Sequence, residues 1–174
     1  GLSPSEKGKW FSLDDLQNDV VDRLYNKFCN KSDTSLYGTI GSILRLEIAA
    51  LLSVLKNRHN LYGPYLLVVA PPILKLASCE MATYTNLTVL TIPDDDDEEF
   101  NYIKENAFIF PNEVAKFNIV VVSSTSFQRF TSEYPSLNYL ISAIDTSEIA
   151  EYPLPNIHTI QSTMRITVKK RTAK

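Results

Sequence analysis

Two cysteines, two histidines and one tryptophan are all that the 174 residues hold of these three types. Cys29 and Cys79 are too few for a disulfide framework, and with His59 and His158 they fall into no spacing that ligates a metal. Both thiols are expected to behave as small buried apolar groups. Long apolar stretches are missing as well. The longest, Tyr65 to Pro72, falls well short of the roughly 18–20 residues that span a bilayer, and it suits a buried strand. No basic-then-apolar leader opens the chain, which leaves an intracellular address as the expectation. Nor is positive charge in excess. The net charge is −3, whereas a domain that grips DNA by itself is basic overall or on one face.

What is there is an ordinary globular composition, 44% hydrophobic and 21% charged, at a length that fits one domain with a proper core. Leu13, Leu16, Val20, Leu24 and Phe28 recur at helical spacing, behind a capping box of Ser12 and Asp15. Ser42 is placed to cap a second helix with a buried stripe of Ile43, Leu46, Ala50, Leu51 and Val54. A continuous apolar run at 65–70 predicts a strand covered on both faces, and the nearly apolar segments at 87–92, 117–122 and 139–144 predict further strands. Helices are predicted between them at 73–84, 100–110 and 126–130. This alternation predicts an α/β fold with a mostly parallel β-sheet flanked by helices on both faces. Tyr152 to Asn156 reads as a stiff connector. Ile157 to Val168 alternates like one or two strands, either an edge addition or the first piece of something further.

A glycine loop opens the second helix where a phosphate-binding loop would need Gly-Lys-Ser/Thr. In that place the chain reads Gly38-Thr39-Ile40-Gly41-Ser42-Ile43-Leu44-Arg45. It has no lysine to span the outer phosphates and no hydroxyl after it to hold magnesium. Arg45 sits one place along, about 100° around the helix, and is expected at the surface or in a capping role.

The order of these segments resembles the first RecA-like lobe of the SNF2 family of chromatin-remodelling ATPases, its chromodomain-helicase branch in particular. Leu24-Tyr25-Asn26-Lys27-Phe28-Cys29 is similar to the family's entry helix. The stretch from Leu51 to Pro71, with Gly63-Pro64-Tyr65 before the strand, is similar to its helix followed by Gly-Pro-Tyr/Phe and an apolar strand. Asn86 to Leu90 resembles the next strand, and Phe100 to Phe108 with Lys116 to Val121 the helix and strand after it. The likeness covers about residues 13–145. It implies a domain at 13–152, preceded by a flexible leader at 1–12 and followed by an extended connector and basic tail at 153–174.

The departures fall where that family keeps its chemistry. Gly41 survives from the phosphate loop, while Leu44 and Arg45 stand where lysine and threonine would be. The family's acidic box falls in one of two registers. One puts Ala143 to Thr146 there with neither acid in place, and the other puts Asp145 to Glu148 there without the base. The resemblance with these losses implies a non-catalytic module, with no nucleotide, cofactor or metal. Its expected setting is the nucleus, with a protein partner in a chromatin assembly concerned with silencing, only weak DNA binding, and no membrane association. A domain that contacts DNA or the nucleosome without turnover is the alternative, and a nucleotide-sensing pseudoenzyme ranks last.

Candidate surfaces follow from leftover side chains. Tyr102, Phe108 and Phe110 share a polar-flanked segment and offer an apolar patch to a partner. Ile40 and Ile43 border the former nucleotide cleft and are the rival site. Lys169, Lys170, Arg171 and Lys174 are the candidates for nucleic acid or a nuclear address. The row Asp94–Glu99 reads either as a surface for a basic partner such as a histone tail or as a solvated loop at a helix N-terminus, where negative charge suits the helix dipole. Asp145 and Glu148 are a carboxylate pair with no histidine or metal cluster to work with. The hydroxyls of Ser123 to Ser126 are expected to cap the following helix.

Overall fold

The computed structural model describes residues 2–8, 13–38, 43–106, 117–135, 137–147, 149 and 152–170, with backbone alone for 102–106 and 170. In chain order the elements are α1 (Asp15–Cys29), β1 (Thr34–Gly38), α2 (Arg45–His59), β2 (Tyr65–Val69), α3 (Leu74–Thr85), β3 (Val89–Thr91), α4 (Asp97–Asn106), β4 (Ile119–Ser123), α5 (Phe127–Glu133), β5 (Asn138–Asp145) and β6 (Gln161–Lys170). The six strands form one sheet in the order β1-β6-β5-β2-β4-β3, parallel at every pairing. The predicted α/β architecture is the observed one.

The side-chain alternation of β2 explains why its sequence is apolar throughout. Tyr65, Leu67 and Val69 face one cluster, which takes in Leu24 of α1, Leu51 of α2 and Met81 of α3. Leu66 and Val68 face the other, with Phe100 of α4 and Phe127 and Phe130 of α5. Strand β4 divides in the same way, Ile119 and Val121 against Val120 and Val122. A strand roofed on both sides has no solvent face to keep polar.

Strand β6 is the main departure from expectation. It lies between β1 and β5, not at an edge, so the sheet runs across the boundary drawn between residues 152 and 153. Met164, Ile166 and Val168 are buried in the first cluster, whereas Arg165 and Thr167 on the other face are only partly covered. One covered face gives the alternating pattern that reads as an edge strand, although the backbone is paired on both sides. The leader differs too. Residues 4–7 form a 3-10 turn against α1 and α2, with Lys7 Nζ donating to Asn18 Oδ1 at 2.6 Å and Arg58 paired with Glu6 at 3.1 Å.

Several local expectations shift. The cap of α1 is Asp14, which accepts from Gln17 N at 2.8 Å in a capping box, while Ser12 lies outside the described residues. Leu16 is 78% exposed, and Val21 and Leu24 carry the buried face. Helix α2 has no single stripe: every residue from Glu47 to Leu55 is buried, because sheet, α1 and α3 surround it. Ile43 is 44% exposed and precedes the helix, and Ser42 lies outside the described residues. Cys29 and Cys79 are exposed rather than buried, since each sits on the outer face of its helix. Among the described residues no helix is long and apolar enough to cross a membrane.

Gly63 opens β2 with φ +105°, and a Cβ there would lie 2.5 Å from the carbonyl oxygen of Asn118. That oxygen accepts the N–H of Tyr65 at 2.8 Å, so it has no room to retreat without losing a strand-end bond. Gly63→Ala is therefore expected to lower stability by about 2–3 kcal/mol. Leu16→Ala on exposed α1 should stay within about 0.5 kcal/mol. Urea unfolding midpoints check both.

Candidate functional site

Because all strands run the same way, their carboxyl ends line one rim of the sheet, where ligands of open α/β sheets bind. Asp145 ends β5, Val69 ends β2 and Ser123 ends β4, and the register sets these three side by side. Helix α2 starts at this rim with Arg45.

Arg45 is 0% exposed, which overturns the surface role expected of it. Its Nη2 donates to Glu80 Oε1 at 2.7 Å, an ion pair between the first residue of α2 and the middle of α3. Farther along the same helix pair, Ser53 Oγ reaches Tyr84 O at 3.4 Å and Lys56 Nζ reaches Asn86 O at 3.3 Å. Side-chain bonds thus tie the two helices together from rim to base, and Arg45 is the rim bond. Leu44 precedes it at the N-cap position, gives the helix no side-chain cap, and packs on the core. Gly41 and Ile40 lie outside the described residues.

Two further acids complete the rim. Asp145 is 2% exposed and accepts from Ser147 Oγ at 2.7 Å. Glu47, in the first turn of α2, is 4% exposed. Burial pushes its carboxyl up to about 6. A bond from its own backbone opposes the shift, and the Asp14 and Asp145 carboxylates add to it. Sequence reading missed Glu47 and Glu80. The signal for Glu47 was an acid inside a helix otherwise apolar on every side, whereas Glu80 looked like any polar residue on an amphipathic helix. Glu148 lies outside the described residues. Among those described, no three His, Cys, Asp or Glu side chains gather within reach of one metal ion.

On the other side of β2, Asp94 leaves the acidic row and turns inward. Its Oδ1 accepts from Ser126 Oγ at 2.5 Å and from Ser123 Oγ, and Ser123 Oγ in turn accepts from Ser126 N at 3.2 Å. The hydroxyls therefore anchor an acid, and the capping expected of them is not made: Ser126, at the N-cap position of α5, gives that helix no side-chain cap because its hydroxyl is turned to Asp94. Asp95 to Glu99 stay exposed at the start of α4, with Glu99 N donating to Asp96 Oδ1 at 2.9 Å. Arg129 of α5 joins Asp97 at 2.9 Å and lies over the Phe100 ring at 3.9 Å.

The remaining candidates are scattered. Tyr102 is on α4, its side chain outside the described set, and Phe108 and Phe110 lie beyond the described residues. Lys169 and Lys170 belong to β6, in register with Tyr37 and Gly38, and not to a free tail. Lys169 Nζ stands 6.0 Å from the Tyr37 ring centre. Arg171 and Lys174 lie outside the described residues.

No protein-family model and no curated protein matches the chain in sequence. Solved structures do match in shape. The chain is similar to the Sulfolobus solfataricus SWI2/SNF2 ATPase core in complex with double-stranded DNA, with a TM-score of 0.74 and 18% identity over 97% of this chain. It is also similar to the SWI2/SNF2 ATPase core domain from the same organism, with a TM-score of 0.71 and 17% identity over 97% of this chain. It spans about a third of the length of either, 33% and 32%. The fold is that of one RecA-like lobe of a SWI2/SNF2 ATPase core.

Breaking the rim ion pair leaves the surviving partner largely enclosed, so Arg45→Ala is expected to cost about 3–5 kcal/mol in urea unfolding. Glu47 gives a second expectation with a definite sign. Its folded value lies above the ordinary carboxylate value of 4.5, so the folded chain holds a proton between about pH 4.5 and 6 that the unfolded chain releases. Stability contributed by the neutral form is then full below that window and falls as pH rises through it, by about 2 kcal/mol in all. Glu47→Gln should flatten the pH–stability curve over that range.

Proposed function

We propose that the domain is a non-catalytic SNF2-like interaction module of a nuclear, chromatin-associated protein, and that it recruits or scaffolds a protein partner without binding ATP. The observation that carries this is the fully buried Arg45 paired with Glu80. In the resemblance, that position belongs to the threonine whose hydroxyl holds magnesium. A fixed guanidinium there repels a divalent cation, and its side chain is committed to α3. Leu44, in the lysine's place, offers a nucleotide no charge. Loss of a charge-assisted phosphate contact costs about 1.5–3 kcal/mol of binding, and loss of metal-assisted neutralisation removes what usually dominates phosphoryl-transfer catalysis. The residues present do not fit a magnesium nucleotide. The silencing setting rests on the family resemblance alone.

Calorimetry with ATP and magnesium should show no binding. A dissociation constant below about 100 µM, near −5.5 kcal/mol, overturns the reading.

The second reading, a DNA- or nucleosome-contacting domain, is favoured by the double-stranded DNA held by one of the similar cores. Against it stand the net charge of −3 and the exposed acids Asp95 to Glu99. Since Lys169 and Lys170 close a central strand, the test uses substitution in place of truncation: Lys169→Gln with Lys170→Gln and Arg171→Gln. Duplex affinity at moderate salt is expected to be weaker than micromolar and to fall further in this variant. Submicromolar binding that survives the substitutions makes the second reading the correct one.

A further inference from the structure

A groove of about 760 Å³ runs between α5 and the connector at 152–156. Gln128, Thr131 and Ser132 form one wall, Pro153, Leu154 and Pro155 the other, and Ser124 and Thr125 close the end at the sheet rim. None of its lining residues is charged. Helical geometry explains the first wall: Phe127 and Phe130 point into the core, Gln128, Thr131 and Ser132 share one flank, and Arg129 falls on the opposite one.

The second wall is an extended backbone with capacity to spare. Pro153 and Pro155 have no N–H to give, and among the described residues no hydrogen bond engages the carbonyls of Pro153, Leu154 or Pro155 or the N–H of Leu154. Such a groove offers mostly acceptors and hydroxyls beside apolar proline faces. A ligand rich in N–H donors and extended enough to follow the connector satisfies it.

Charge decides what kind of ligand. Ser124 and Thr125 are flanked by Ser123 and Ser126, which hold Asp94, and the exposed acids Asp95 to Glu99 continue from there. The acidic row thus begins beside this end of the groove and runs on to the flank of α5 that carries Arg129, and its negative charges attract lysine or arginine and repel phosphate. Arg129 neutralises Asp97 on the far flank of α5.

We infer that this groove binds an extended basic peptide, its backbone along Pro153–Pro155 and its lysine or arginine side chains drawn to the exposed acids Asp95, Asp96, Glu98 and Glu99. The inference rests on the reading of the domain as a protein-binding module, and it names the chemistry of the partner.

Fluorescence anisotropy with a synthetic peptide of alternating threonine and lysine, against the same peptide with glutamate for lysine, tests it on the full chain. The lysine peptide is expected to bind at least about tenfold more tightly, with affinity falling as salt rises. Thr131→Arg, which puts bulk and positive charge in the groove, should weaken it about tenfold or more. Glu98→Gln with Glu99→Gln should weaken it about threefold and flatten the salt dependence. Leu154→Ala, on an exposed position, guards against misfolding of the first variant and should also weaken binding. Equal binding of the two peptides, or binding indifferent to all the groove variants, overturns the inference. So does a lysine peptide that fails to bind. The calorimetry with ATP separates the two levels: a chain that binds neither peptide nor ATP loses the groove and keeps the module, whereas one that binds ATP loses the module.

Discussion

Helix α2 is the element on which the others depend. From Glu47 to Leu55 it is enclosed by the sheet beneath and by α1 and α3 at its sides. Leu51, Leu55, Ile48 and Ala49 are each at most 1% exposed, so the helix contributes to the core around its whole circumference. Burying a side chain of this kind stabilises by about 1.5–3 kcal/mol relative to exposure, and such a helix also fixes where both its ends fall. Its first residue must arrive at the rim of the sheet inside the protein. Whatever occupies that position has to be compatible with burial, and in this chain it is an arginine.

An arginine buried at such a place needs a partner, because an isolated charge in the interior is far too costly. Glu80 supplies it from α3, and the pair becomes part of the packing of one helix on the other. The same rim that serves as a binding edge in open α/β sheets has here been used to join two helices. On the opposite side of β2 the hydroxyls of Ser123 and Ser126 are likewise engaged, by Asp94. On each flank of the rim a buried or half-buried charge is thus held by the fold itself, Arg45 by Glu80 and Asp94 by the two hydroxyls.

The acidic row behaves less uniformly than its composition suggests. Read as a block, six acids in succession look like one feature with one role. The structure divides them: Asp94 anchors the loop, Asp96 caps α4, Asp97 pairs with Arg129, and the rest stay in water. Only the exposed members are free to set the sign of the field beside the groove.

The sequence by itself determined the layers. Continuous apolar runs in β2 and β4 require cover on both faces, and their alternation with helical periods requires parallel crossovers, so the α/β sandwich was legible before any coordinates. The missing lysine was equally legible, since a residue type is either present or not. Side-chain period could not give the place of β6, because a strand in mid-sheet with one open face alternates just as an edge strand does, while its backbone pairing with β1 and β5 leaves no mark on composition. The burial of Arg45 was also out of reach. Its partner lies 35 residues away on another helix, and only the packing of α2 against α3 brings the two charges to 2.7 Å. The groove belongs to the same class. Three prolines and a few hydroxyls acquire a shape only when α5 and the connector are laid side by side on the sheet, because a cavity depends on distances between segments, which the local sequence of neither one specifies.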